Sequence, residues 1–170
     1  MSDLERVMKD GLAIQYIENQ TRELCLAAIA ENAWALQYIK DKTDELCLAA
    51  VRKNGTAILF IDNPSTEMCL EAVKSYGSTL YFIKYQTPEI CMAAVKQYGL
   101  SLRFVICRTF EICLEAVKQN KEAINHITEV DIMKLVIMDN WKVIEFLDGY
   151  KRTDDILITV VKSILRLPNE

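Results

Sequence analysis

Chemistry-bearing residues are what this sequence has least of. It holds one histidine, His126, and only five glycines, none of them clustered. Without a glycine-rich loop there is no cradle for phosphates. No serine or cysteine stands at a spacing that would pair with His126 as nucleophile and base, so catalysis is not expected. No metal or cofactor set is expected either. Prolines number three, and no Gly–Pro cluster, linker or low-complexity run interrupts the chain, so residues 1–170 are read as one domain. No apolar stretch approaches the roughly 20 residues that span a bilayer, so no membrane contact is expected. The segment Met1-Ser2-Asp3-Leu4-Glu5 lacks the basic region and apolar core of a secretory signal. The expectation is a cytoplasmic protein with reduced thiols. Cations number 20 against 24 acids, which argues against nucleic acid as the main ligand.

What the chain does have is repetition. Half of it is apolar, enough for one continuous core. Cys25, Cys47, Cys69, Cys91 and Cys113 recur every 22 residues. Around them, Thr21-Arg22-Glu23-Leu24-Cys25-Leu26-Ala27-Ala28-Ile29 returns at Thr43–Val51, Ser65–Val73, Thr87–Val95 and Thr109–Val117. Asn or Tyr follows, then usually Gly, then a short apolar run such as Ala35-Leu36-Gln37-Tyr38-Ile39. A fixed period of this size marks a solenoid.

The first half of each unit predicts a helix of about ten residues. Thr21, Thr43, Ser65, Thr87 and Thr109 are N-cap residues. Glu23, Glu45, Glu67, Glu89 and Glu111 place negative charge in the first turn, and Arg52, Lys74, Lys96 and Lys118 place positive charge near the end. Gly55, Gly77 and Gly99 are expected to form left-handed C-caps. The second half is too short for periodicity to separate strand from helix. Ala35 and Ala57 are poor strand residues, and positions 35, 36 and 39 fit one helical face, so a second short helix is favoured. A leucine-rich-repeat layout would need an asparagine ladder and alternating leucines, which are absent. The fold expected is therefore all-α, an α-solenoid of six to seven helical hairpins. Regular repeats run over about 4–128, and an atypical cap ending in a helix occupies 129–170.

Regular spacing also restrains the chemical reading. Neighbouring helices lie about 8–10 Å apart, so equivalent cysteines are too distant to share a metal or a disulfide. They read as small buried hydrophobes, whereas Cys107, in a linker column, is expected at the surface. His126 stands in a column with Tyr16, Tyr38, Phe60, Phe82 and Phe104, read as a core stripe. Helix capping accounts for the glutamate column.

Columns that differ between repeats are free to face a partner. One runs through Gln15, Gln37, Leu59, Tyr81, Arg103 and Asn125, the other through Leu12, Trp34, Thr56, Ser78, Leu100 and Glu122. Trp34, Gln37, Leu59, Tyr81, Leu100 and Arg103 are the candidate contacts for a protein partner, since Trp, Tyr and Arg dominate binding hot spots. Tyr76 and Tyr98, in place of asparagine, are a smaller aromatic addition. The alternative is nucleic acid bound along Arg52, Lys74, Lys96 and Lys118. A third reading is self-association through the apolar segment 156–161.

The phrase Glu111-Ile112-Cys113-Leu114-Glu115-Ala116-Val117-Lys118-Gln119-Asn120, with Asn54-Gly55 and Ala35–Ile39, resembles a family of short helical repeats of unknown function. Those repeats occur in giant viruses, phages, protists and some bacteria. The resemblance covers about residues 4–128 and implies paired short helices. It carries over no catalytic residues. It implies a viral or phage adaptor, or an inhibitor of a host factor, acting in the host cytoplasm.

Overall fold

A computed structural model describes residues 2–127 and alternates six α-helices with six 3₁₀-helices. The α-helices are α1 (Asp3–Lys9), α2 (Arg22–Glu31), α3 (Asp44–Lys53), α4 (Thr66–Ser75), α5 (Pro88–Gln97) and α6 (Phe110–Gln119). The 3₁₀-helices are η1 (Gly11–Tyr16), η2 (Ala33–Tyr38), η3 (Gly55–Phe60), η4 (Gly77–Phe82), η5 (Gly99–Phe104) and η6 (Lys121–His126). No strand occurs among the described residues. This is an all-α solenoid of six described units. The cap at 129–170 and the segment 156–161 lie outside the described residues.

Local hydrogen bonds explain the boundaries. Thr21, Thr43, Ser65, Thr87 and Thr109 accept from the N–H of Leu24, Leu46, Met68, Ile90 and Ile112 at 3.3–3.4 Å. Ser2 and Glu5 form a capping box on α1. Each α-helix stops at one extended residue, which also begins the following 3₁₀-helix. These junction residues are Asp10, Asn32, Asn54, Tyr76, Tyr98 and Asn120. Four of them cap the 3₁₀-helix with their own side chain, accepting from Leu12, Trp34, Thr56 and Glu122 at 2.9–3.0 Å.

With three residues per turn, a 3₁₀-helix stacks every third side chain. Gly11, Ile14 and Ile17 are buried on one line, as are Ala33, Leu36 and Ile39, and likewise Gly77, Leu80 and Ile83. The residue just before each final Ile or Val lies a third of a turn off that line. The expected core stripe of aromatics is therefore corrected: Tyr16, Tyr38 and Phe82 are exposed, and Phe60, Phe104 and His126 are half-buried.

The glycine column is a second correction. No described glycine adopts a positive φ, so none forms a left-handed cap. A Cβ on Gly11, Gly77 or Gly99 would instead sit 2.4 Å from the carbonyl oxygen of Ala28, Ala94 or Ala116 in the next unit. Glycine is there because backbone meets backbone. The alanines complete the fit, being fully buried.

Neighbouring α-helices pack on one another, neighbouring 3₁₀-helices do the same, and η1 to η5 each pack on the α-helix that follows. The core runs between these two rows as one cluster. Glutamines stitch the 3₁₀ row together. Gln86 donates from Nε2 to the carbonyls of Leu80 and Phe104, at 3.3 and 3.0 Å, and accepts from the Ile106 N–H at 3.1 Å. Gln20 makes the equivalent bonds between η1 and η2.

Candidate binding ridge

The two varying columns are three residues apart, which is one 3₁₀ turn. Each pair therefore shares a face: Trp34 with Gln37, Thr56 with Leu59, Ser78 with Tyr81, Leu100 with Arg103. None of these residues is buried. They form a ridge along the 3₁₀ row.

Along that ridge the six candidates differ in how free they are. Trp34 donates its indole N–H to Thr56 Oγ1 at 3.1 Å, and Thr56 donates onward to Asn54 Oδ1 at 2.8 Å. The Trp34 ring packs edge-on against Phe60 at 6.1 Å. Gln37 is engaged with the Trp34 carbonyl at 3.1 Å. Leu100 is half-buried against the core. Of these three, Trp34 links η2 to η3 through Thr56 while its ring stays 47 % exposed. Leu59, Tyr81 and Arg103 are exposed and make no hydrogen bond across units among the described residues.

Tyr81 and Arg103 belong to an aromatic group. Tyr81 meets Phe82 edge-on at 5.0 Å and Phe104 at 5.2 Å, which joins η4 to η5. The Arg103 guanidinium lies 4.5 Å from the centre of the Phe104 ring, and Lys84 Nζ lies 5.4 Å from that of Tyr85. Tyr81 is 66 % and Tyr85 75 % exposed. Neither Arg103 nor Lys84 makes an ion pair among the described residues. Sequence reasoning missed Phe82, Lys84, Tyr85 and Phe104 as members of this surface. Two signals point to them. One is the three-residue period that turns the aromatic column outward. The other is charge: residues 72–110 contain Lys74, Lys84, Lys96, Arg103 and Arg108 but only one acid, Glu89, in a chain with more acids than cations.

The same two units have tyrosine junctions. Tyr76 and Tyr98 make no side-chain cap bond, and both rings are exposed. A different backbone donor is held from the next unit. Gln97 Oε1 accepts from the Gly77 N–H, and Gln119 Oε1 from the Gly99 N–H, each at 2.6 Å. In the units that follow an Asp or Asn junction, that glutamine column holds Glu31, Lys53 and Ser75.

The alternative basic column stands at the α-helix ends. Arg52 pairs with Glu67 of the next helix at 2.8 Å, and Lys74 with Glu71 at 3.3 Å. Half of that column thus faces acidic neighbours. Arg22 of α2 grips Glu45 of α3, which holds the Glu45 carboxyl below the usual carboxylate range. This pair borders a cavity of about 390 Å³ also lined by Glu18, Gln20, Cys25 and Lys40. It contains none of the ridge candidates.

The five periodic cysteines are buried and Cys107 is exposed, as the sequence predicts. Burial raises the thiols of Cys25, Cys47 and Cys69 above their ordinary range. Burial, with Cys107 nearby, pushes Cys91 up to about 11. Thiols held protonated are poor nucleophiles and poor metal ligands. Among the described residues no group of His, Cys, Asp or Glu is placed to hold a metal ion. Among them no helix is long and apolar enough to cross a membrane.

Fold and ridge together define a class, the α-solenoids whose units pair one α-helix with one 3₁₀-helix. Within it, the model of a domain of unknown function, DUF4116, matches residues 21–64, 65–106 and 87–130, and the chain belongs to that family. No curated protein and no solved structure matches the chain.

Proposed function

We propose that this protein is a non-enzymatic scaffold that binds a partner protein through the 3₁₀ ridge. The observation that carries the reading is the sorting of columns. Most repeated apolar residues are buried, while two columns that vary in size, polarity and charge share one accessible face. An α-solenoid offers such a face as an extended binding surface. In its concrete form the scaffold is a viral or phage adaptor, or an inhibitor of a host factor, working in the host cytoplasm. Six free thiols are compatible with a reducing compartment.

Two observations favour this over nucleic acid along Arg52, Lys74, Lys96 and Lys118. Arg52 and Lys74 already have acidic partners within the chain. The net charge of −4 opposes a polyanion at long range. The test uses immobilised wild-type protein beside Trp34→Ala and Tyr81→Ala. A protein captured by the wild type and lost with Tyr81→Ala supports the ridge. A partner retained by both variants, or displaced by DNA, overturns it.

A further inference from the structure

We propose that the fourth and fifth units, α4–η4 and α5–η5, form the docking site for an acidic peptide segment whose carboxylate stands beside an apolar residue. The proposal rests on the protein-binding reading and narrows it to one stretch of the ridge and one partner chemistry.

Charge complementarity carries the argument. Apart from Glu89 in the first turn of α5, residues 72–110 contain no acid, and neither Lys84 nor Arg103 makes an ion pair among the described residues. Arg103 is exposed and lies over the Phe104 ring at 4.5 Å. A guanidinium over a ring and without an ion pair keeps its N–H fork available for bidentate bonding to a carboxylate. Next to it, Tyr81, Phe82 and Phe104 form a contiguous aromatic floor. A carboxylate on Arg103 would place the neighbouring apolar side chain of the same peptide on that floor. Lys84, over Tyr85, supplies a second positive group at the edge.

Single-stranded nucleic acid also suits cations interleaved with aromatics. Only two cations, Lys84 and Arg103, lie on this part of the ridge, too few to follow a phosphate backbone. A short acidic peptide matches that charge count.

The tyrosine junctions point to the same units. At Tyr76 and Tyr98 the side-chain cap is absent, an aromatic ring is exposed, and a glutamine from the following unit accepts from the adjacent glycine N–H. Both replacements fall in the stretch whose one acid is Glu89.

The experiment is selection of short random peptides on the intact protein, followed by titration of a synthetic peptide from the recovered set. Oligothymidylate serves as a separate probe. The expected peptides carry Asp or Glu beside Leu, Phe or Trp. Replacing that acid by its amide, or making Arg103→Gln, lowers affinity about tenfold or more, as loss of a charge-assisted bond does. The two changes together cost no more than either alone. Arg103→Lys keeps the charge without the planar fork and gives a smaller loss. Non-acidic peptides that need Trp34 and Leu59 overturn this inference and leave the protein-binding reading standing. Oligothymidylate bound with loss on Arg103→Gln, and no ridge-dependent peptide, overturns both.

Discussion

The units with Asp or Asn junctions and the two with tyrosine junctions solve one local problem in different ways. In the former, a single side chain ends the α-helix and caps the 3₁₀-helix, as Asn54 does for the Thr56 N–H. In the latter, Tyr76 and Tyr98 leave that bond unmade, and Gln97 and Gln119 of the following units hold a different donor, the N–H of Gly77 and of Gly99. The buried column behind the junction changes too. Ala35 and Ala57 give way to Thr79 and Ser101, and the Thr79 hydroxyl donates to the Tyr76 carbonyl at 2.7 Å. The lesson is that a column is not bound to one structural role. Where the junction side chain no longer caps the 3₁₀-helix, the column becomes available to the surface. Here both released columns lie in the cationic, aromatic part of the ridge.

The largest effect should fall on what both kinds of unit share. Gly99→Ala drives a methyl into the Ala116 carbonyl, 2.4 Å away. It should cost about 3 kcal/mol in a denaturant titration. A loss of similar size at Gly11 and a smaller one at Gly55, where the nearest oxygen is 2.7 Å off, would show that close approach is common to the glycine-bearing units, η2 and η6 having Ala33 and Lys121 in that column.

The difference between the units should appear next. Gln97→Ala strands the Gly77 N–H and should cost about 1–2 kcal/mol. Ser75→Ala, in the same column behind an asparagine junction, should stay within about 0.5 kcal/mol. Tyr76→Asn restores the local cap. The restored cap holds the Ser78 N–H, a different donor from Gly77, so in that background Gln97→Ala should keep its cost, with a coupling energy below about 0.5 kcal/mol. A coupling energy of about 1 kcal/mol or more would mean that one bond substitutes for the other.

The smallest effect concerns the thiols. A folded-state pKa raised by burial adds stability that is complete below the unfolded thiol pKa. That contribution is lost as pH rises through the folded value. Thermal unfolding should therefore weaken on alkaline titration up to and through about 11, the value for Cys91. Cys91→Ala should flatten this decline more than Cys25→Ala does.

Much of this was legible from residues that act locally. The Thr21 and Thr43 caps, the first-turn glutamates and the ten-residue α-helices rest on bonds spanning three or four positions, which a sequence displays directly. The buried cysteine slots followed from a period too long for metal sharing. The second element was harder. Its buried line, Gly77–Leu80–Ile83, has a period of three, and a five-residue window starting at the alanine column cuts off its first member. That is why Phe82 and Phe104 looked like core. The glycine column was unreadable for a different reason. Gly11 answers to a carbonyl in the next unit, at Ala28, and no local pattern records a backbone from elsewhere. On the ridge, the sequence singled out Tyr81 and Arg103 alongside Trp34. Only the coordinates reveal that Trp34 is bonded to Thr56 and Asn54.

The central claim is that units with tyrosine junctions carry the partner site while the asparagine-junction units support it. Calorimetric titration of one acidic, apolar-flanked peptide into four variants tests it most directly. Tyr81→Ala and Arg103→Gln should each weaken binding by about tenfold or more, while Trp34→Ala and Leu59→Ala change it by less than about twofold. Equal losses across all four, or a larger loss with Trp34→Ala, would contradict the account.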